Sequence, residues 1–173
     1  MAKTSGEDTV PCVIIYTDGG CEPNPGIGGW AAVLLAGSHC REITGGCRDT
    51  TNNRMELTAA IEALTALKRP CRVQLHSDSK YVIQGITSWI HNWKRKNWMR
   101  GNQPVLNADL WRQLDTLCSR HEVQWNWVQG HSGNYYNERC DQLAQSAIAE
   151  QRALPVTSKK TKGIPVRSEM EDE

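Results

Sequence analysis

Val10-Pro11-Cys12-Val13-Ile14-Ile15-Tyr16-Thr17-Asp18-Gly19-Gly20 is the first patterned stretch of the chain, a β-branched run that ends in an acid and two glycines. The run from Val10 to Tyr16 predicts a buried strand, and Thr17-Asp18-Gly19-Gly20 predicts its exit. Beyond the turn-rich Glu22-Pro23-Asn24-Pro25-Gly26, the segment Gly28 to Leu35 reads as a second strand. His39 to Thr44 returns through the Gly37-Ser38 turn as a third, which makes an antiparallel meander. After Thr50-Thr51 the period changes. Leu57, Ala60, Ile61, Leu64 and Leu67 form one apolar helical stripe, with Asn52 or Asn53 as its cap and Pro70 as its end. Val73 to Ser77 is a fourth strand, followed by helical patterns at Lys80 to Trp93 and Ala108 to Arg120. Val123 to Val128 is a fifth strand, and Asn137 to Glu150 is a closing helix. The fold class is therefore α/β: a single mixed five-stranded sheet, three strands antiparallel and the later ones parallel, with helices on its faces.

The length of 173 residues supports one hydrophobic core. Residues 10–150 are read as that domain, 1–9 as an N-terminal extension and 151–173 as a disordered tail, because periodicity stops at Gln151. No run approaches the roughly 18 apolar residues of a membrane helix, and the first eight residues lack the apolar stretch of a secretion signal. A cytoplasmic, membrane-free protein is expected, and a monomer. Twenty basic and nineteen acidic residues give a net charge of +1, so any nucleic-acid binding must come from local charge. Seven cysteines without a C-x-x-C pair argue against a thiolate zinc site or a disulfide framework.

Four acids carry the chemistry. Asp18 and Asp78 each follow a strand, the place where open α/β sheets bind ligands. Glu56 and Asp141 each fall at a helix start beside apolar positions. Taken singly, each has a plainer reading as a turn former or a favourable charge at a helix N-terminus. Taken together, they form an oxygen-only set that suits Mg²⁺ or Mn²⁺. Two such ions can clamp a phosphodiester for in-line attack by water. His131, in the glycine-flanked Gly130-His131-Ser132-Gly133, can carry protons near neutral pH.

These segments converge on a known pattern. Tyr16-Thr17-Asp18-Gly19 with Asn24-Pro25-Gly26, Thr51-Asn52-Asn53-Arg54-Met55-Glu56-Leu57, Ser77-Asp78-Ser79, Gly130-His131-Ser132-Gly133 and Asn137-Glu138-Arg139-Cys140-Asp141 closely resemble ribonuclease H type 1 of the bacterial kind. The resemblance implies the RNase H-like fold, two Mg²⁺ ions, and hydrolysis of the RNA strand of RNA:DNA hybrids to 5′-phosphate and 3′-hydroxyl ends. Asp18, Glu56, Asp78 and Asp141 take the place of its metal-binding acids, and His131 of its proton-transfer or product-release group. Asn24, Asn52 and Asn53 correspond to minor-groove contacts and Thr51 to a DNA-phosphate contact. Lys80 stands where many bacterial relatives carry Gln.

Trp89, Trp93 and Trp98 interleave with Lys94, Arg95, Lys96 and Arg100, and no acid occurs between Asp78 and Asp109. This local cation patch, at about residues 89–101, resembles the basic handle with which bacterial-type enzymes grip the DNA backbone. Gly26-Ile27-Gly28-Gly29-Trp30-Ala31 fits a dinucleotide fingerprint by letters alone, but it leads into a strand pattern and not a helix.

Overall fold

The computed structural model describes residues 10–155. The expected extension at 1–9 and residues 156–173 of the expected tail lie outside the described residues. Three antiparallel strands, β1 (Cys12–Glu22), β2 (Gly26–Ala36) and β3 (His39–Thr50), precede helix α1 (Asn52–Thr65) and strand β4 (Arg72–Ser77). A helical run follows as α2 (Lys80–Gln84), one π-helical turn (Gly85–Trp89) and α3 (Ile90–Arg95). The short strands β5 (Met99–Arg100) and β6 (Gln103–Pro104) lead to α4 (Ala108–Cys118), β7 (Glu122–Trp127) and α5 (Tyr135–Ala153). The main sheet has the order β3-β2-β1-β4-β7. β1 pairs antiparallel with β2 and parallel with β4, and β4 pairs parallel with β7. Among the described residues no helix is long and apolar enough to cross a membrane.

Alternation along β1 and β4 divides the sheet into two faces. Val13, Ile15, Val73 and Leu75 point into the core with Leu57, Ile61 and Leu64 of α1 and Leu110, Trp111 and Leu114 of α4. On the opposite face α5 crosses β1, β2 and β3.

Several expectations change in detail. β1 runs on through Asp18 to Glu22 because its pairing with β2 continues to Glu22↔Ile27. Asp18 thus lies inside a strand, opposite Ala31, while Asp78 follows the end of β4 as expected. β3 likewise extends past Thr44 to Thr50. The cap of α1 is Thr51, not Asn52 or Asn53. Thr51 is extended, and its hydroxyl accepts the Arg54 backbone N–H at 3.2 Å. The Lys80 to Trp93 helix contains the π turn, which starts at Gly85. A Cβ there would lie 2.1 Å from the Trp111 ring, so glycine admits the indole against the helix backbone. α5 runs past the expected end at Glu150 because it is anchored. Arg48 Nη1 donates to the carbonyls of Gln151 and Leu154, and Arg152 donates to that of Glu22.

One contact sets the relation of α1 to the sheet. A Cβ at Gly19 would lie 2.4 Å from the Met55 carbonyl carbon and 2.6 Å from the Glu56 nitrogen. The backbone of α1 therefore rests directly on β1, which no side chain at position 19 permits. Gly19→Ala is expected to cost about 1 to 3 kcal/mol, the range for overpacking. Gly20→Ala is the control, since its Cβ would meet only Ile148 Cδ1 at 3.9 Å. Equal melting temperatures for the two variants would contradict this account.

Candidate active site

The parallel ladder of β1 and β4 ends at Thr17↔Ser77. The next residue on each chain is an aspartate, so Asp18 and Asp78 lie side by side where the ladder stops. The approach of α1 at Gly19 brings Glu56 to the same point. One carboxylate oxygen from each of Asp18, Glu56 and Asp78 falls within 4.8 Å of the others. Asp141, from the second turn of α5, lines the same cleft and lies near enough for its charge to raise the Asp18 carboxyl. These four acids line a cleft of 270 Å³ together with Asn52, Asn53, Ser79 and His131.

Such crowding is electrostatically unfavourable without a counter-charge. Burial, then the neighbouring charges of Asp78 and Asp141, push the Asp18 carboxyl up to about 8 from 3.8. The Gly19 N–H, donated to Asp18 Oδ1 at 2.9 Å, opposes this only in part. Glu56 is raised well above the ordinary glutamate value by burial and then by Asp18 and Asp78. Asp78 is raised by burial and by Asp141, with His131 pulling the other way. Glu56 Oε2 is buried and has no hydrogen-bond partner. A buried acceptor without a donor, in an all-oxygen group of acids, fits a hard divalent cation. Asp18, Glu56, Asp78 and Asp141 are the residues that would hold it.

The RNase H family model matches residues 11–149. This chain belongs to the ribonuclease H family. It is 56% identical over 144 residues to a ribonuclease H of Phenylobacterium zucineum, covering 83% of this chain and 94% of that one. It is 58% identical over 139 residues to ribonuclease HI of Pseudomonas aeruginosa, covering 80% and 94%. Among solved structures it is similar to LC9-RNase H1, a type 1 RNase H with the type 2 active-site motif. That likeness has a TM-score of 0.75 and 30% identity, covering 82% of this chain and 74% of the other. LC11-RNase H1, solved in complex with an RNA/DNA hybrid, shares the fold at a TM-score of 0.61 and 22% identity, with 80% and 97% covered.

All five residues expected to do the chemistry in this ribonuclease H fold, Asp18, Glu56, Asp78, His131 and Asp141, line one cleft. His131 has a φ of 58°, a left-handed conformation uncommon for a side-chain-bearing residue. Asn24 is exposed, and its Oδ1 accepts the Asn52 N–H at 3.2 Å, tying the turn after β1 to the start of α1. Thr51 is only 4% exposed and caps α1 with its hydroxyl. Lys80 is exposed, with Nζ 5.3 Å from the centre of the Trp127 ring, a cation–π contact beside Asp78 that glutamine could not make.

The basic segment divides between packing and charge. Trp89 and Trp93 lie against each other at 5.9 Å, and Trp93 lies 5.2 Å from Trp111. Lys94 is paired with Asp115 of α4 at 3.2 Å, an acid that the linear sequence hides. Arg95, Lys96 and Arg100 are exposed.

Three contributors are new. Trp127 donates Nε1–H to the Asp78 carbonyl at 3.2 Å and so fixes the backbone that carries the acid. Gly130 lies so close that its Cβ would approach Asp78 Oδ2 to 3.0 Å. Gln145 lines the cleft one turn beyond Asp141, a position that helical spacing could have indicated.

The raised carboxyls fix a pH dependence. The folded protein retains protons on Asp18 and Glu56 that the unfolded chain loses near pH 4. Without cations, stability therefore falls as pH rises from about 4 to about 8. Asp18→Asn cannot ionise. In chelator it is expected to raise the melting temperature at pH 8 and to change it much less at pH 5. An unchanged or lowered melting temperature at pH 8 would contradict this.

Proposed function

We propose that this endoribonuclease hydrolyses the RNA strand of RNA:DNA hybrids, using two Mg²⁺ ions at Asp18, Glu56, Asp78 and Asp141 and leaving 5′-phosphate and 3′-hydroxyl ends. The observation that carries the reading is the position of Asn52 and Asn53 in the same cleft as the four acids. Amide side chains can engage base edges and sugar hydroxyls, and the RNA 2′-hydroxyl marks the strand to be cut. Asn24 and Thr51 support that edge by holding and capping the start of α1, and the family resemblance assigns them a groove contact and a DNA-phosphate contact. Lys80, exposed and next in the chain to the cleft-lining Ser79, offers a cation for the backbone of the substrate.

When bound, the cations supply activation of the attacking water and stabilisation of the departing oxygen. The protein's own groups do the rest. Asp18 lies among the other acids, with one carboxylate oxygen within 4.8 Å of those of Glu56 and Asp78, and the nearby charge of Asp141 also raises its carboxyl. Water oxygen bonds to phosphorus as the bond from phosphorus to O3′ breaks, so the phosphate stays on the 5′ end. His131, at the cleft edge near Asp78, can deliver or remove the proton that this exchange requires.

The proposed catalytic domain spans residues 10–150, with the basic segment at 89–101 as a handle for the DNA backbone. Trp89 and Trp93 build its base. Arg95, Lys96 and Arg100 carry its charge, with Lys94 contributing less because Asp115 already neutralises it. Mn²⁺ has the same preference for oxygen ligands and can substitute.

A gel with four end-labelled substrates tests the reading: hybrid, RNA duplex, DNA duplex and single-stranded RNA, each with and without Mg²⁺. Cleavage confined to the RNA of the hybrid and abolished by chelator is expected. Cutting of the DNA duplex would point instead to a resolvase-type nuclease.

The handle has its own signature. Each phosphate contact contributes roughly 0.7 to 0.9 to the slope of log K against log salt. Replacing Arg95, Lys96 and Arg100 with Gln is expected to raise KM, leave kcat nearly unchanged and flatten that slope by about 1.5 to 2.5. Parental KM and salt dependence would return the segment to an ordinary charged helix face.

A further inference from the structure

Arg54 lies in the first turn of α1, between Asn53 and Glu56, yet it does not line the cleft. Its guanidinium turns away toward α4. Nη1 donates to Asp109 Oδ1 at 3.1 Å and Nη2 donates to Oδ2 at 2.9 Å, a two-pronged fit. Nη1 also donates to Asn107 Oδ1 at 3.2 Å.

Asn107 is unusual in two respects. It occupies the N-cap position of α4 but makes no capping hydrogen bond, and its backbone is left-handed, with a φ of 60°. Asparagine at a helix start ordinarily turns its side chain back on the helix. Here the side chain is spent elsewhere. Its Oδ1 accepts from Arg54, and its Nδ2 donates to the Tyr81 hydroxyl at 3.1 Å. The same hydroxyl accepts Trp111 Nε1–H at 3.1 Å. Tyr81 stands three residues beyond Asp78, and its ring packs on Trp89 and Trp111. Trp111 in turn packs on Trp93, at the root of the basic segment.

The hydrogen bonds and ring contacts form one continuous chain from the turn that carries Asn52, Asn53 and Glu56 to the base of the handle. A strained backbone and a forgone cap persist only where the surroundings hold them, and Arg54 and Tyr81 are what hold Asn107. We propose that Arg54 is a positioning residue for cleavage: through Asp109, Asn107 and Tyr81 it fixes the spacing between the groove-reading turn of α1 and the handle, so that one hybrid engages both. This rests on the substrate reading above. It assigns Arg54 no contact with the hybrid, since its charge is already matched by Asp109.

A double-mutant cycle separates this role from general stability. KM and kcat on a long hybrid, with melting temperatures, are measured for Arg54→Ala, for the Arg95, Lys96 and Arg100 to Gln variant, and for their combination. Arg54→Ala is expected to raise KM about tenfold with kcat within about threefold, as for lost ground-state positioning. In the combination, KM should rise little beyond that of the handle variant alone, because only Lys94, already paired with Asp115, remains to be positioned. Arg54→Lys, unable to form the fork, should restore KM only in part. Asp109→Asn keeps the size of the partner and carries the same test if Arg54→Ala folds poorly.

Independent, multiplicative effects on KM would overturn the proposal, as would a loss of kcat at parental KM. A lowered melting temperature with parental KM would make Arg54 a stability residue only. A handle variant with parental KM would remove the handle reading and this proposal with it. A weakened handle variant beside an Arg54→Ala enzyme of parental KM overturns this proposal alone.

Discussion

The backbone of α1 lies against β1 at Gly19 with no side chain between them, and the electrostatics of the cleft follow from that contact. It carries Glu56 to the end of the parallel ladder, where Asp18 and Asp78 already stand together. The same glycine donates its N–H to Asp18. A wider gap between helix and strand would let solvent screen the acids and give each an ordinary ionisation. Close packing instead creates a site in which the folded chain holds carboxyls that cannot all be charged at neutral pH. Folding energy from the core beneath, where Ile15, Leu57, Leu75 and Trp111 are fully enclosed, offsets that repulsion.

The arrangement divides labour between a rigid floor and a positioned rim. The floor is sheet and helix backbone, reinforced by the Trp127 bond to the Asp78 carbonyl. The rim consists of Asn52 and Asn53 on one side and the His131 loop on the other, with the packed rings of Trp89, Trp93 and Trp111 under the basic segment. A site built on secondary structure keeps its acids in place before any ligand arrives, which is what electrostatic preorganisation requires. The rim is tied to the floor by specific bonds: Asn24 to the Asn52 amide, Thr51 to the Arg54 amide, and Arg54 across to α4.

Much of this was legible in the sequence. The succession of strands and helices, the mixed sheet and the gathering of Asp18, Glu56, Asp78, His131 and Asp141 follow from period changes and from short motifs with fixed spacing. What escaped depends on contacts between distant segments. The length of β1 is set by β2, so a pattern ending at Tyr16 could not show that Asp18 is inside a strand. The cap fell to Thr51 because Asn52 and Asn53 are already helical. Lys94 looked like free charge because Asp115 lies 21 residues away in the chain. The π turn at Gly85 exists where Trp111 needs space, a demand placed by a later helix. Asn107 carries no sequence mark of its left-handed backbone beyond being an asparagine.

The central claim is that the fold holds carboxyl protons which a divalent cation must displace. Calorimetric titration of the protein with Mg²⁺ at pH 7, repeated in buffers of different ionisation enthalpy, measures it directly. The account predicts release of about one proton or more per protein on saturation, with the release diminished in Asp18→Asn and increasing as the pH is lowered from 8 toward 6. Binding with no proton release at pH 7, in a protein that cleaves normally under the same conditions, would contradict it.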